Sequence, residues 1–120
     1  MAEHNDIGEQ GEQIAQQLLI DKGYSIEAIN WSFQKAELDI ICKTKTEIVF
    51  VEVKTRTSRY FENPKDAVTP KKQKNIIRAA NAFIEQSNCN LGARFDIISV
   101  LLEEDKIEIE HIEDAFYPLL

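Results

Sequence analysis

The chain has 120 residues, enough for one domain spanning 1–120 with its own core and too few for two. With 43% hydrophobic and 29% charged residues it is neither disordered nor fibrous, and no apolar run approaches the ~18–20 residues of a membrane span. A net charge of −7 argues, as an average, against nucleic acid, but the average conceals a polarity. From Lys54 to Arg78 eight basic residues stand against Glu62 and Asp66, a net +6. The other 6 basic and 19 acidic residues leave −13. A polyanion responds to the local field, so a basic strip on an acidic body is compatible with phosphate binding; a solvated, lysine-rich helix and loop is the plainer account. The opening Met1-Ala2-Glu3-His4-Asn5-Asp6 is polar and acidic, unlike a signal or transit peptide. A cytoplasmic protein is expected, with Cys42 and Cys89 as two reduced thiols and one disulfide between them as the alternative.

Ile7, Gly11, Ile14, Ala15, Leu18 and Leu19 recur at helical spacing and Gly23 stands at the C-terminal cap position, predicting a helix over about 8–22. Residues 24–32 are a first strand. Leu38, Ile40 and Cys42 alternate with Glu37, Asp39 and Ile41 in a second. A turn at residues 43–46 leads into Glu47–Arg56, a β-branched run typical of a central strand. Residues 57–69 carry Pro64 and few apolar side chains and are expected as a surface loop. Thr69-Pro70 starts a second helix, with Thr as N-cap and Pro at the first helical position, and this helix ends near Asn88. Strands over 95–102 and 106–112 follow across an acidic turn. The predicted fold is α/β, a mixed sheet in the order αβββαββ with helices packed on it.

Three polar residues interrupt the strands expected at the sheet's centre: Asp39, Glu52 and Lys54. Glu52 and Lys54 share a strand face, two residues apart. The strands bearing Asp39 and Glu52 are joined by a short turn, so an antiparallel pairing brings both carboxylates beside one ammonium. Carboxylates inside an apolar sheet are costly unless a cation compensates them, and converging carboxylate oxygens suit Mg²⁺ or Mn²⁺. A lysine alongside stabilises the charge developing on a phosphate or orients a water. These are the parts of metal-assisted phosphodiester hydrolysis. The alternative is a same-face ion pair on a half-exposed strand, with Asp39 on the polar face of a hairpin.

Leu38-Asp39, followed by Val51-Glu52-Val53-Lys54-Thr55-Arg56, resembles the D…(D/E)-x-K signature of the restriction-endonuclease-like PD-(D/E)xK superfamily. Nearly the whole chain is similar to the small bacterial family often called YraN, itself similar to archaeal Holliday-junction resolvases. The matching pieces are Gly8-x-x-Gly11-Glu12-x-x-Ala15, Gly23-Tyr24, Asn30-Trp31, Glu37-Leu38-Asp39-Ile40-Ile41 and Phe50–Arg56. Pro64, Pro70-Lys71-Lys72 and Arg94-Phe95-Asp96 complete the series. The resemblance implies a restriction-endonuclease-like fold, Asp39 and Glu52 as ligands of Mg²⁺ (or Mn²⁺), and Lys54 as the catalytic lysine. It also matches Glu12 to a glutamate that related resolvases add to the site; a surface glutamate on a helix shoulder is the alternative. Leu38 stands where the superfamily has proline, and Ala36 where many relatives have glycine.

Lys71, Lys72 and Lys74 occupy the first turns of the second helix, where the macrodipole disfavours cations and favours anions. With Arg56 and Arg59 they form a candidate clamp for the backbone of duplex or branched DNA. Trp31 and Phe33 are expected to pack, with base stacking as the alternative. Asp96 is expected to cap or to pair with Arg94, and His4 and His111 lack ligand spacing. The apolar tail Ala115–Leu120 packs back on the domain or forms a homodimer contact. The reading that emerges is a metal-dependent DNA endonuclease; a non-catalytic nucleic-acid-binding module and a protein-interaction module are the rivals.

Overall fold

In the computed structural model, which describes residues 3–57 and 64–118, the order is α1 (Glu3–Asp21), β1 (Ser25–Phe33), β2 (Ala36–Lys43), β3 (Glu47–Arg56), α2 (Pro64–Ala67), α3 (Pro70–Ser87), β4 (Gly92–Glu103) and β5 (Lys106–Phe116). The five strands form one sheet in the order β1-β2-β3-β4-β5. All neighbours are antiparallel except β3 and β4, which run parallel because α3 carries the chain back across the sheet. The mixed α/β fold is as expected.

Alternation along β3 feeds two cores. Ile48 and Phe50 join Ile76, Ala79 and Ala80 of α3, while Val49 and Val51 face Ala15 and Leu19 of α1. β3 is buried on both faces, as a central strand requires. Trp31 and Phe33 stack with each other, and Trp31 meets Phe83 edge-on, so both rings are packing residues. The α3 caps are as expected. Thr69 Oγ1 accepts from the Lys72 N–H at 3.2 Å, and Asn88 takes the left-handed conformation that ends the helix.

Several boundaries move. α1 starts at Glu3 rather than near residue 8; the acidic Asp6 and Glu9 suit its positive end. The expected loop over 57–69 contains a short helical turn, with Pro64 at its first position. β5 runs to Phe116, so Ala115 and Phe116 belong to the sheet; Phe116 is buried and stacks on Phe95 at 5.3 Å. A polar network explains that length. Asp96, fully buried, accepts from Arg94 Nε at 2.9 Å and Nη2 at 2.8 Å, from His111 Nε2 at 2.7 Å and from the Asp114 N–H at 3.0 Å. Burial by itself would raise the Asp96 carboxyl, but these donors outweigh it and hold it below the ordinary carboxylate range. Asp96 thus pairs with Arg94, as expected, and also ties down the last strand. Cys42 and Cys89 are free thiols, and burial pushes Cys42 up to about 12.

The regular alternation expected for β2 fails at one residue. Leu38 lies in the core under α3, whereas Ile40, two residues on, lies in the core under α1. The inversion is matched on β1: Ala28 and Trp31, three apart, share the α3 side, and Asn30 between them has φ of 50°. Register sets Ile29 against Ile40 and Trp31 against Leu38, so Asn30 and Asp39 face each other at the twist. The expected pattern put Leu38 and Ile40 on one face; the structure puts them on opposite faces, with Asp39 between them at the inversion.

Candidate functional site

The β2–β3 ladder runs from Lys43↔Ile48 to Ile40↔Val51. Beyond it β3 continues against β4 alone, and the strands part at Asp39. Its side chain takes over the lost ladder bond: Asp39 Oδ2 accepts from the Val53 N–H at 2.8 Å. Glu52, buried on the α3 side of β3, is hydrogen-bonded to Asp39. The local twist and the parting of two strands thus put two carboxyl groups together at the sheet's edge, under α3.

Their electrostatics follow from that burial. Loss of water raises both groups; Glu52 also feels the Asp39 charge, whereas Asp39 is lowered by the hydrogen bond from Glu52. Glu52 is pushed up to about 8, by burial first and then by Asp39. Asp39 is raised less because the Val53 N–H and Lys72 favour its charged form. Near neutral pH, Glu52 therefore holds a proton that it donates to the Asp39 carboxylate.

Lys72 supplies the nearest positive charge: its Nζ lies 3.6 Å from Glu52 Oε1. The group opens onto a hollow of about 300 Å³ lined by Lys35, Ala36, Glu37, Asp39, Glu52, Lys72, Asn75 and Ile76. Lys54, half-buried on the same face of β3 as Glu52, is not among the lining residues. Glu12 lies across the sheet edge in a neighbouring hollow beside Asn30, whose side chain hydrogen-bonds it. Burial and then the Asp39 charge raise Glu12, so the two carboxylates sense one another across the strand twist.

The expected clamp is divided. Lys72 turns to the carboxylates and Lys71 is exposed, whereas Lys74 lines a separate hollow on the other flank of α3 with Arg78 and Tyr117. Arg56 is half-buried, its Nη2 directed at Ser99 Oγ at 3.4 Å. Arg59 lies outside the described residues. Sequence reasoning quoted Asn30 and Glu37 as pieces of the resemblance without giving them a role, and did not name Lys35 or Asn75. Asn75 was findable, because it follows Lys72 by three residues on one helix face. The others depend on where strands part.

Among the described residues no cluster of three or more His, Cys, Asp or Glu side chains is arranged around a metal position. Two carboxylates are nevertheless an adequate protein donor set for Mg²⁺, which keeps several waters. The donor chemistry at Asp39 and Glu52 fits such an ion: both are buried, and burial raises both.

A five-stranded mixed sheet with a carboxylate pair at a strand fork defines the class of this molecule. The chain belongs to uncharacterised protein family UPF0102, whose family model matches residues 11–100. It is 49% identical to a UPF0102 protein of Phocaeicola vulgatus over 118 residues, 98% of each chain. It is equally similar to UPF0102 protein FP2501 of Flavobacterium psychrophilum, 49% over 117 residues and 98% of each chain. A Porphyromonas gingivalis UPF0102 protein is 47% identical, covering all of this chain and 90% of its own. Among the described residues no helix is long and apolar enough to cross a membrane.

Proposed function

We propose that the protein is a metal-dependent DNA endonuclease acting on duplex or branched DNA. The observation that carries this reading is the hydrogen-bonded Asp39–Glu52 pair, buried at a strand fork and open to a polar hollow. The likeness of its motif to the D…(D/E)-x-K signature supports the same chemistry. Mg²⁺ or Mn²⁺ held by Asp39 and Glu52 would polarise a phosphate oxygen and lower the pKa of an attacking water. Asp39 keeps its carboxylate aimed by accepting the Val53 N–H. Glu52 must give up its proton for the pair to serve as a ligand set, so activity should rise with pH toward 8. Lys54, on the same strand face, stabilises charge developing on the phosphate. Glu12, in the neighbouring hollow, is the glutamate that the resemblance adds to the site, and Arg56, Arg59, Lys71 and Lys74 hold the backbone at a distance from the chemistry.

The test is single-turnover cleavage with Mg²⁺ and Mn²⁺ on duplex, single-stranded, flap and four-way-junction DNA. Wild type should cut at least one substrate. Glu52→Gln should abolish cutting while retaining binding, and Lys54→Ala should lower the rate by roughly 10²–10³ with a smaller loss of affinity. Metal-independent binding without cleavage by wild type across the panel would instead make the protein a non-catalytic nucleic-acid-binding module.

A further inference from the structure

Lys72 differs from the lysines beside it. Its backbone is fixed, because its N–H is the one that caps on Thr69, and Ile76 one turn on is buried in the core under α3. Its side chain is 51% exposed and has water available, yet the ammonium turns inward to Glu52. Lys71 is exposed and lies outside the hollow, and Lys74 faces the other flank of α3. The stem of a lysine is flexible and its ammonium a compact charge, so it can leave one anion for another at little cost.

Charge at the site explains why it would leave. Three acidic side chains, Glu37, Asp39 and Glu52, line the hollow against two basic ones, Lys35 and Lys72, and the Lys72 ammonium stands 3.6 Å from Glu52. A divalent cation held by Asp39 and Glu52 would neutralise them and repel the ammonium, which would then need a new anion. On the open side of the hollow, a phosphate of DNA would supply it.

We propose that Lys72 is the site's resident counter-ion: its ammonium stands against Glu52 until a divalent cation enters, then turns to a phosphate of bound DNA. The proposal rests on the metal-dependent reading above and adds to it an ordered exchange. Cation and DNA then bind cooperatively, with Lys72 as the coupling residue. Lys54 has no such freedom, because it is half-buried on a strand.

The test uses the full chain, Lys72→Ala, and Lys72→Gln, which keeps the stem; matching melting curves establish that each variant is folded. Calorimetric titration with Mg²⁺ at about pH 9, where proton competition is least, should show about tenfold tighter binding in both variants, as expected when one unit charge near a divalent ion is removed. Affinity for a fluorescently labelled four-way DNA junction is then measured with Ca²⁺, to avoid cutting, and with EDTA. Lys72→Ala should weaken binding about tenfold with Ca²⁺ and less than about twofold with EDTA, one charge-assisted contact being made only in the loaded site. Lys71→Ala should lose the same factor in both buffers. Unchanged Mg²⁺ affinity in the Lys72 variants, or equal DNA losses with and without Ca²⁺, would overturn the exchange while leaving the metal site intact. Wild type that binds no Mg²⁺, or binds it as well after Asp39→Asn and Glu52→Gln, would overturn the metal reading and the exchange together.

Discussion

Glu52 is held in the fold at a cost that depends on pH. Its carboxyl sits at about 8 in the folded chain, against 4.5 for an unperturbed glutamate, because burial and the Asp39 charge disfavour ionisation. Between those values the folded protein keeps a proton that the unfolded chain releases. Stability from this group is therefore complete below about 4.5 and declines as pH rises through 8. Glu52→Gln removes the decline. Its melting temperature should match wild type near pH 4 and exceed it near pH 8.5, by the equivalent of about 2–4 kcal/mol. Parallel pH profiles for the two proteins would show that the carboxyl is not desolvated as its burial requires. The opposite strategy operates at Asp96, where four donors satisfy a buried carboxylate. The molecule satisfies one buried acid and leaves another wanting, and the second is where a cation is useful.

At the scale of elements, α1 lies close on the sheet at Gly11. A Cβ there would lie 1.9 Å from Thr55 Oγ1 and 2.8 Å from Thr55 Cβ, so the helix can dock at this depth only with glycine. Gly11→Ala should cost about 1–3 kcal/mol, read by chemical denaturation. Thr55→Ala in the same chain should recover part of it, since Thr55 Cβ remains close; strictly additive losses would mean the two positions do not touch. This docking sets Glu12 at the edge of the site. Much of the element plan is written locally: β3 begins and ends where its β-branched run does, and Thr69-Pro70 and Asn88 bound α3 by their own backbone preferences. Other features are not local. The inversion at Asp39 needs Asn30 on the facing strand, and a reading that assumes unbroken alternation puts Leu38 and Ile40 on one face. The convergence of Asp39 and Glu52 was legible from a hairpin and two carboxylates. The inward turn of Lys72 was not, because it depends on how α3 settles across the sheet. The length of β5 depends on Arg94, Asp96 and Asp114 meeting across a bulge.

Over the whole molecule, the uneven charge has a use. On the proposed reading, a body of net −13 would repel DNA and the stretch from Lys54 to Arg78, net +6, would attract it. Binding should therefore be strongly salt-dependent, with log affinity falling linearly with log salt at ~0.9 per duplex phosphate neutralised. Lys71→Ala, exposed and clear of the hollow, should weaken binding equally across sequences and flatten that slope by up to about one unit; an unchanged slope would mean DNA lies elsewhere. Steering only brings the backbone near, and the account stands or falls on the carboxylate pair as a cation site. The most direct measurement is the melting temperature of wild type and of the Asp39→Asn/Glu52→Gln double variant as Mg²⁺ or Mn²⁺ is titrated at about pH 8. A ligand bound only by the folded state stabilises by mass action, about 2.7 kcal/mol at 100 times its Kd. Wild type should rise steadily with added metal and the double variant should not respond. Equal rises in both proteins, or none in wild type, would contradict it.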